Sequence, residues 1–215
     1  PSGTTEQRGG TRGLRMGGND ATNVIEYYDI STTGNTKDFG DLSFVVKANS
    51  ACSSSTRALS AGGEESGVGN SNHIDFVTIM STGNALEFGD LDPNSLDISH
   101  MAGVSNGTRG VFAGGYTPTQ INTIQYITIQ SMGNSKDFGD MTSTDARHGA
   151  AAESSTRGLF THGGYPSRLN TIDAITIATT GNAVEFGDII DVGGNDGGGD
   201  SGTQSGFSNG HGGLG

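Results

Sequence analysis

The residues best suited to chemistry in this chain are carboxylates set beside aromatic rings. In STGNALEFGDL (residues 81–91), Glu87 and Asp90 flank Phe88 after a Gly83-Asn84 turn. Paired carboxylates serve general acid–base work or hold a hard cation. The Gly- and Asp-rich stretch 191–202 offers a second acidic set. There Asp191, Asp196 and Asp200 are oxygen ligands for a weak cation site, without EF-hand spacing. The histidines His73, His100, His148, His162 and His211 form no H-x-x-x-H or H-E-x-x-H pair. No serine is expected in the strand–turn–helix setting of a nucleophile elbow.

The elements that carry these groups come in copies. TTGNTKDFGDL (32–42), SMGNSKDFGDM (131–141) and TTGNAVEFGDI (179–189) repeat the first phrase. The turn glycines Gly34, Gly83, Gly133 and Gly181 are 49, 50 and 48 residues apart. Single asparagines (Asn23, Asn72, Asn122, Asn170) recur with the same spacings, and Gly pairs (Gly17-Gly18, Gly62-Gly63, Gly114-Gly115, Gly163-Gly164) recur once per copy, 45, 52 and 49 residues apart. A binding or catalytic site usually breaks the symmetry of its scaffold. A group present in every copy is therefore read as scaffold. Asp41, Asp90, Asp140 and Asp188, with Arg12, Arg57, Arg109 and Arg157, become turn, hydrogen-bond or inter-blade salt-bridge residues. Phe39, Phe88, Phe138 and Phe186 become core between repeats.

Each period holds four extended segments. In the third these are SHMAGVSNG (99–107), TRGVFAGGY (108–116), INTIQYITIQ (121–130) and SKDFGDM (135–141). Four consecutive strands with short links make an antiparallel meander. In the third strand Ile124 and Tyr126 point to one face, and Ile127 and Ile129 to the other. Apolar residues on both faces mean a sheet covered on both sides. The expected fold is all-β: a β-propeller of four four-stranded antiparallel blades in one domain, 1–215. Its repeats run over 11–55, 56–107, 108–155 and 156–210. A parallel β-helix has shorter coils, and a sandwich needs no fixed period.

Composition agrees. Thirty-eight glycines and no tryptophan favour short strands and tight turns over helices. A net charge of −12 disfavours nucleic-acid binding. No apolar run approaches a membrane span. Cys52 is the only cysteine and is read as an ordinary small side chain. The chain begins at Pro1 without a visible secretory signal, so it is expected to be a processed product or part of a longer polypeptide.

The Gly pair closing the second strand, the following N-x-[IV]-x-x-aromatic and the aromatic in the fourth strand resemble the kelch motif, as does Arg147-His148 early in one first strand. Phe stands where kelch repeats usually carry Trp, and an aromatic follows the Gly pair only as Tyr116 and Tyr165. The wording of the repeats is similar to kelch-like repeats in structural proteins of tailed bacteriophages of marine cyanobacteria. That resemblance implies a non-enzymatic virion component of tail or fibre type, used for assembly or surface recognition. It implies structural protein subunits as partners, a virion or extracellular location and no cofactor. The alternatives are a secreted or cell-surface carbohydrate-binding propeller and a propeller-scaffold enzyme.

The segment SGFSNGHGGLG (205–215) aligns with AGVSNGTRGVF (102–112). Residues 203–210 are therefore expected to pair with 11–18 and close the ring, in competition with 1–10. The alternatives are a fragment of a larger ring and an open unit completed by strand donation from a neighbour. The loops after the Gly pairs differ between copies, and variable loops on a rigid scaffold are where recognition usually sits. Tyr116, Tyr165 and Arg168 are the candidate ligand-binding residues, suited to sugar or protein contacts.

Overall fold

A computed structural model describes residues 10–18, 20–91, 97–144, 147, 149–163 and 169–190. They form seventeen strands and, among the described residues, no helix. The strands fall into four antiparallel sheets in chain order. Sheet 1 takes β1 (Arg12–Met16), β2 (Thr22–Asp29) and β3 (Lys37–Lys47). Sheet 2 takes β4 (Ser50–Ser53) and β5 (Arg57–Ala61). A small hairpin follows, β6 (Glu64–Glu65) and β7 (Gly69–Asn70), and it joins the edge of sheet 1 beyond β3. Sheet 2 is completed by β8 (His73–Thr78) and β9 (Leu86–Asp90). Sheet 3 is β10 (Ala102–Ser105), β11 (Arg109–Ala113), β12 (Thr123–Thr128) and β13 (Lys136–Asp140). Sheet 4 is β14 (Ala151–Glu153), β15 (Arg157–Thr161), β16 (Thr171–Thr176) and β17 (Val184–Asp188).

The Phe-Gly-Asp phrase makes the same irregularity in every sheet. In sheet 2, Ile74 pairs with Gly89 but the next residue, Asp75, pairs with Glu87. Phe88 is the extra residue of a β-bulge, a device that re-aims one side chain out of the ladder. The equivalent shift occurs after Ile25, Ile124 and Ile172. The ring so released points at the next sheet. Phe39, Phe88 and Phe138 are only 2–3% exposed.

Sheets join face to face, and the three junctions share one plan. Ile25, Phe39 and Leu42 of sheet 1 pack with Ala58 and Val77 of sheet 2. On the other side of sheet 2, Leu59, Ile74 and Phe88 pack with Ile127 and Ile129 of sheet 3. Val111, Ile124 and Phe138 of sheet 3 pack in turn with Ile175 and Ile177 of sheet 4. The alternation expected for the third strand is thus present, with Ile124 and Ile127 in different cores.

Hydrogen bonds fix the register of each junction. The turn of sheet 2 lies along the outer strand of sheet 1: Gly83 N–H donates to Phe39 C=O and Ala85 N–H to Asp41 C=O, both at 2.7 Å. Asn84 Oδ1 accepts the Asp41 N–H at 3.1 Å. Asn134 and Asn182 accept from Asp90 and Asp140 in the next two junctions, again at 3.1 Å. The bulge glycines allow this approach. A Cβ on Gly40, Gly89 or Gly139 would stand 2.4–2.6 Å from the backbone of the next turn glycine. Arg12, Arg57 and Arg109 each cross the junction to donate to a carbonyl, of Ile79, Ile129 and Ile177, at 2.8–3.0 Å.

Three features depart from the sequence expectations. First, the strand within 99–107 joins those of 108–141 in one sheet as expected, but the period bounds cut between them: β4, β10 and β14 fall inside 11–55, 56–107 and 108–155 and belong to sheets 2, 3 and 4. Sheet 1 consequently holds three strands of the pattern, and the β6–β7 hairpin makes it five-stranded. The segments expected to supply its first strand, 1–9 and 203–210, lie outside the described residues. Second, β3 runs on for 11 residues, past the Phe-Gly-Asp phrase to Lys47. Third, the Gly pair of the fourth period is shifted by one. His162 N–H bonds to Thr171 C=O as Gly62 does to His73 and Gly114 to Thr123. The counterparts of Gly62-Gly63 are therefore His162-Gly163, not Gly163-Gly164.

Candidate functional site

Two places gather polar groups apart from the repeated junction contacts. The first is a cavity of about 440 Å³ bordered by the leading strands of all four sheets. Met16, Cys52, Val104, Ser105, Ala152 and Glu153 are among its walls. Burial first, and then the Glu153 charge, push the Cys52 thiol far above its ordinary pKa, so it is no thiolate nucleophile. Ser105 stands on a strand followed by a turn into another strand. Its hydroxyl donates to Ser53 C=O at 2.6 Å, and its N–H donates to Glu153. Among the described residues no histidine lines the cavity to act as its base.

The second place lies at the loops that follow the Gly pairs, and it draws on unrepeated residues. Glu64, on the β6–β7 hairpin, pairs with Lys47 Nζ at 2.9 Å. His100 Nδ1 lies 3.8 Å from the same carboxylate and 2.8 Å from Ser99 Oγ. Ser99 bridges to Tyr116, whose carbonyl also accepts from the Asn70 side chain at 3.0 Å. The Arg147 guanidinium sits 4.3 Å above the Tyr116 ring. Its buried Nε has no hydrogen-bond partner among the described residues. Burial would raise the Glu64 pKa, but the Lys47 hydrogen bond and charge, with His100 and Arg147, outweigh it and hold the carboxyl below its ordinary value.

Backbone strain marks the same spot. Ala48 and His100 are the non-glycine residues with positive φ among the described residues, at 55° and 60°. They are bonded to each other, His100 N–H to Ala48 C=O at 2.9 Å. Strain of this kind costs about 1–3 kcal/mol per residue and persists only where the surroundings enforce it. The site thus combines an aromatic ring, one anion, two cations, a histidine and an amide.

No family model matches the chain, and no curated protein does. Its residues must therefore speak through geometry alone. Of the candidate ligand residues, Tyr116 stands in the loop-side cluster. Tyr165 and Arg168 lie outside the described residues, as do Asp191, Asp196 and Asp200. Among the described residues no three His, Cys, Asp or Glu side chains converge as a metal set. The repeated aspartates act first through their backbone: Asp41, Asp90 and Asp140 use N–H and C=O to hold the next turn. The Asp90 carboxylate in addition lies 3.5 Å from His73.

Sequence reasoning missed Glu64, Lys47 and His100, which no repeat or spacing connects. It also missed a buried group with the outline of a catalytic dyad. His162 Nε2 lies 2.9 Å from Asp173 Oδ2, and both side chains are fully buried. Asp173 further accepts from Thr142 N–H and Oγ1 at 2.8 and 2.7 Å. Asp75 accepts from Ser43 in the same way, with no histidine. The arrangement ties the end of one sheet's outer strand to the third strand of the next. With no path to solvent and the Thr142 hydroxyl donating to the aspartate, it is a structural latch.

Proposed function

We propose that this chain is a non-enzymatic structural or adhesion module of kelch-like propeller type, its four sheets being successive blades around the central cavity. The wording of its repeats suits a virion component of tail or fibre type, in a virion or extracellular setting. One observation carries the reading. The repeated groups are consumed in holding sheet to sheet, whereas the convergent, unrepeated polar set stands on the loop side, around Tyr116, Glu64, His100 and Arg147. A rigid stack of sheets with one variable loop face is built to assemble and to present a surface.

A second reading, binding of a cell-surface glycan, draws on the same cluster. An aromatic body beside carboxylate, amide and cationic groups is the composition of a polar-ligand site. Electron microscopy of the purified chain tests assembly, and a glycan array with intact host cells tests recognition. Tyr116→Ala and Glu64→Gln should abolish surface binding while leaving the thermal transition in place. Catalytic turnover by a chain that neither assembles nor binds surfaces would sink the proposal.

A further inference from the structure

Three junctions join the four sheets, and the two ends of the array each carry half of a fourth. On sheet 4, Phe186 is 52% exposed, although its counterparts are buried. Gly187 keeps the bulge conformation, φ +153°, yet no described residue lies within 4 Å of where its Cβ would stand. At Gly40, Gly89 and Gly139 that space holds the next sheet's turn. Arg157, the counterpart of Arg12, Arg57 and Arg109, has no carbonyl of a following sheet to bond among the described residues. On sheet 1, Tyr28 and Ile30 occupy the positions of Ile127 and Ile129, but they are 42% and 69% exposed. The turn formed by Gly34, Asn35 and Thr36 lies along no outer strand among the described residues.

We propose that sheet 4 of one copy of this chain docks on sheet 1 of a second copy, head to tail, through the contacts of the internal junctions. Phe186 packs on Tyr28 and Ile30. Gly34 N–H donates to Phe186 C=O, Asn35 Oδ1 accepts the Asp188 N–H, and Arg157 donates to Ile30 C=O. The argument is continuity with an interface this chain already makes three times. Among the described residues of one copy the two faces make no such bonds, and a second copy can supply the missing half. The contact is heterologous: each copy offers one face and leaves the other open, so growth ends only if a ring closes. This names the partner for the assembly role proposed above.

The test uses the full chain with engineered cysteines, Cys52 being buried. A chain carrying Asp188→Cys is mixed with one carrying Asn35→Cys under mild oxidation. The expected product is a disulfide-linked pair of chains. Adding Phe186→Asp to the first chain should weaken association about thirtyfold, the scale of losing an anchoring aromatic. The pair Asp41→Cys and Asn84→Cys, within one chain, reports an internal junction. If that control forms and the intermolecular bond does not, head-to-tail docking is overturned. It is equally overturned if the doubly substituted Asn35→Cys, Asp188→Cys chain closes on itself as a monomer at every dilution. Loss of surface binding with the cross-link retained would instead overturn the recognition role and leave the docking standing.

Discussion

Phe138 and Phe186 occupy the same position of the same motif, one inside a junction and one at the end of the array. Phe138 is buried against sheet 4, with its neighbour Gly139 pressed to the Gly181 turn. Phe186 stands half in solvent beside Arg157, whose guanidinium lies 5.8 Å from its ring. The local sequence is nearly the same in both, so the difference comes from the following copy. In a repeat protein the phrase supplies half a contact, and its energetic value is set by whether the other half is present.

Paired substitutions break that comparison or sharpen it. Phe138→Ala should lower stability by about 3–5 kcal/mol, as for a fully buried aromatic. Phe186→Ala in the dilute, unassociated chain should stay within about 0.5 kcal/mol of the parent. Urea unfolding of both variants checks this, and equal losses would mean that the two rings are equally buried in solution. Gly139→Ala adds a clash with the Gly181 backbone to the strain of a positive φ, whereas Gly187→Ala adds strain alone. The first should cost about 1–3 kcal/mol more than the second. Asn134→Ala removes one junction hydrogen bond and should cost about 0.5–1.5 kcal/mol. Asn35→Ala should change the melting of the dilute chain little.

The smallest effect belongs to the loop-side ion pair. In the folded chain the Lys47 hydrogen bond and charge, outweighing burial, hold the Glu64 carboxyl below the ordinary glutamate value. Its stabilisation is present in full above about 4.5 and is lost as pH falls through the lower folded value. A melting series should show Glu64→Gln slightly less stable than the parent near neutrality, with the gap closing in acid. A gap unchanged across that range would mean that the Lys47 pair contributes nothing.

The four-fold period and the alternation of the third strands were legible in the sequence, because both are local and repeated. The bulge was not, because SKDFGDM reads as an unbroken strand until the partner strand fixes the register. The shift of the fourth Gly pair was hidden by an adjacent glycine: Gly163-Gly164 imitates a pair, while the backbone places His162 in the first position. The latch at Asp75 and Asp173 escaped notice because its counterparts are Glu26 and Gln125, so the position does not keep one residue type. Glu64, Lys47 and His100 meet through a two-residue hairpin and a strained pair of residues, features that no periodicity predicts.

The inner strands hold one more consequence. A Cβ on Gly103 would stand 2.5 Å from the Ala51 carbonyl, and one on Gly110 2.5 Å from Cys52 Sγ. The outer strands are propped apart by whole phenyl rings. The sheets thus approach almost backbone to backbone at one edge of a junction and keep a phenyl ring between them at the other. Enlarging Gly103 or Gly110 would do more than weaken a contact: it would push one edge of the junction apart and change the angle between neighbouring sheets.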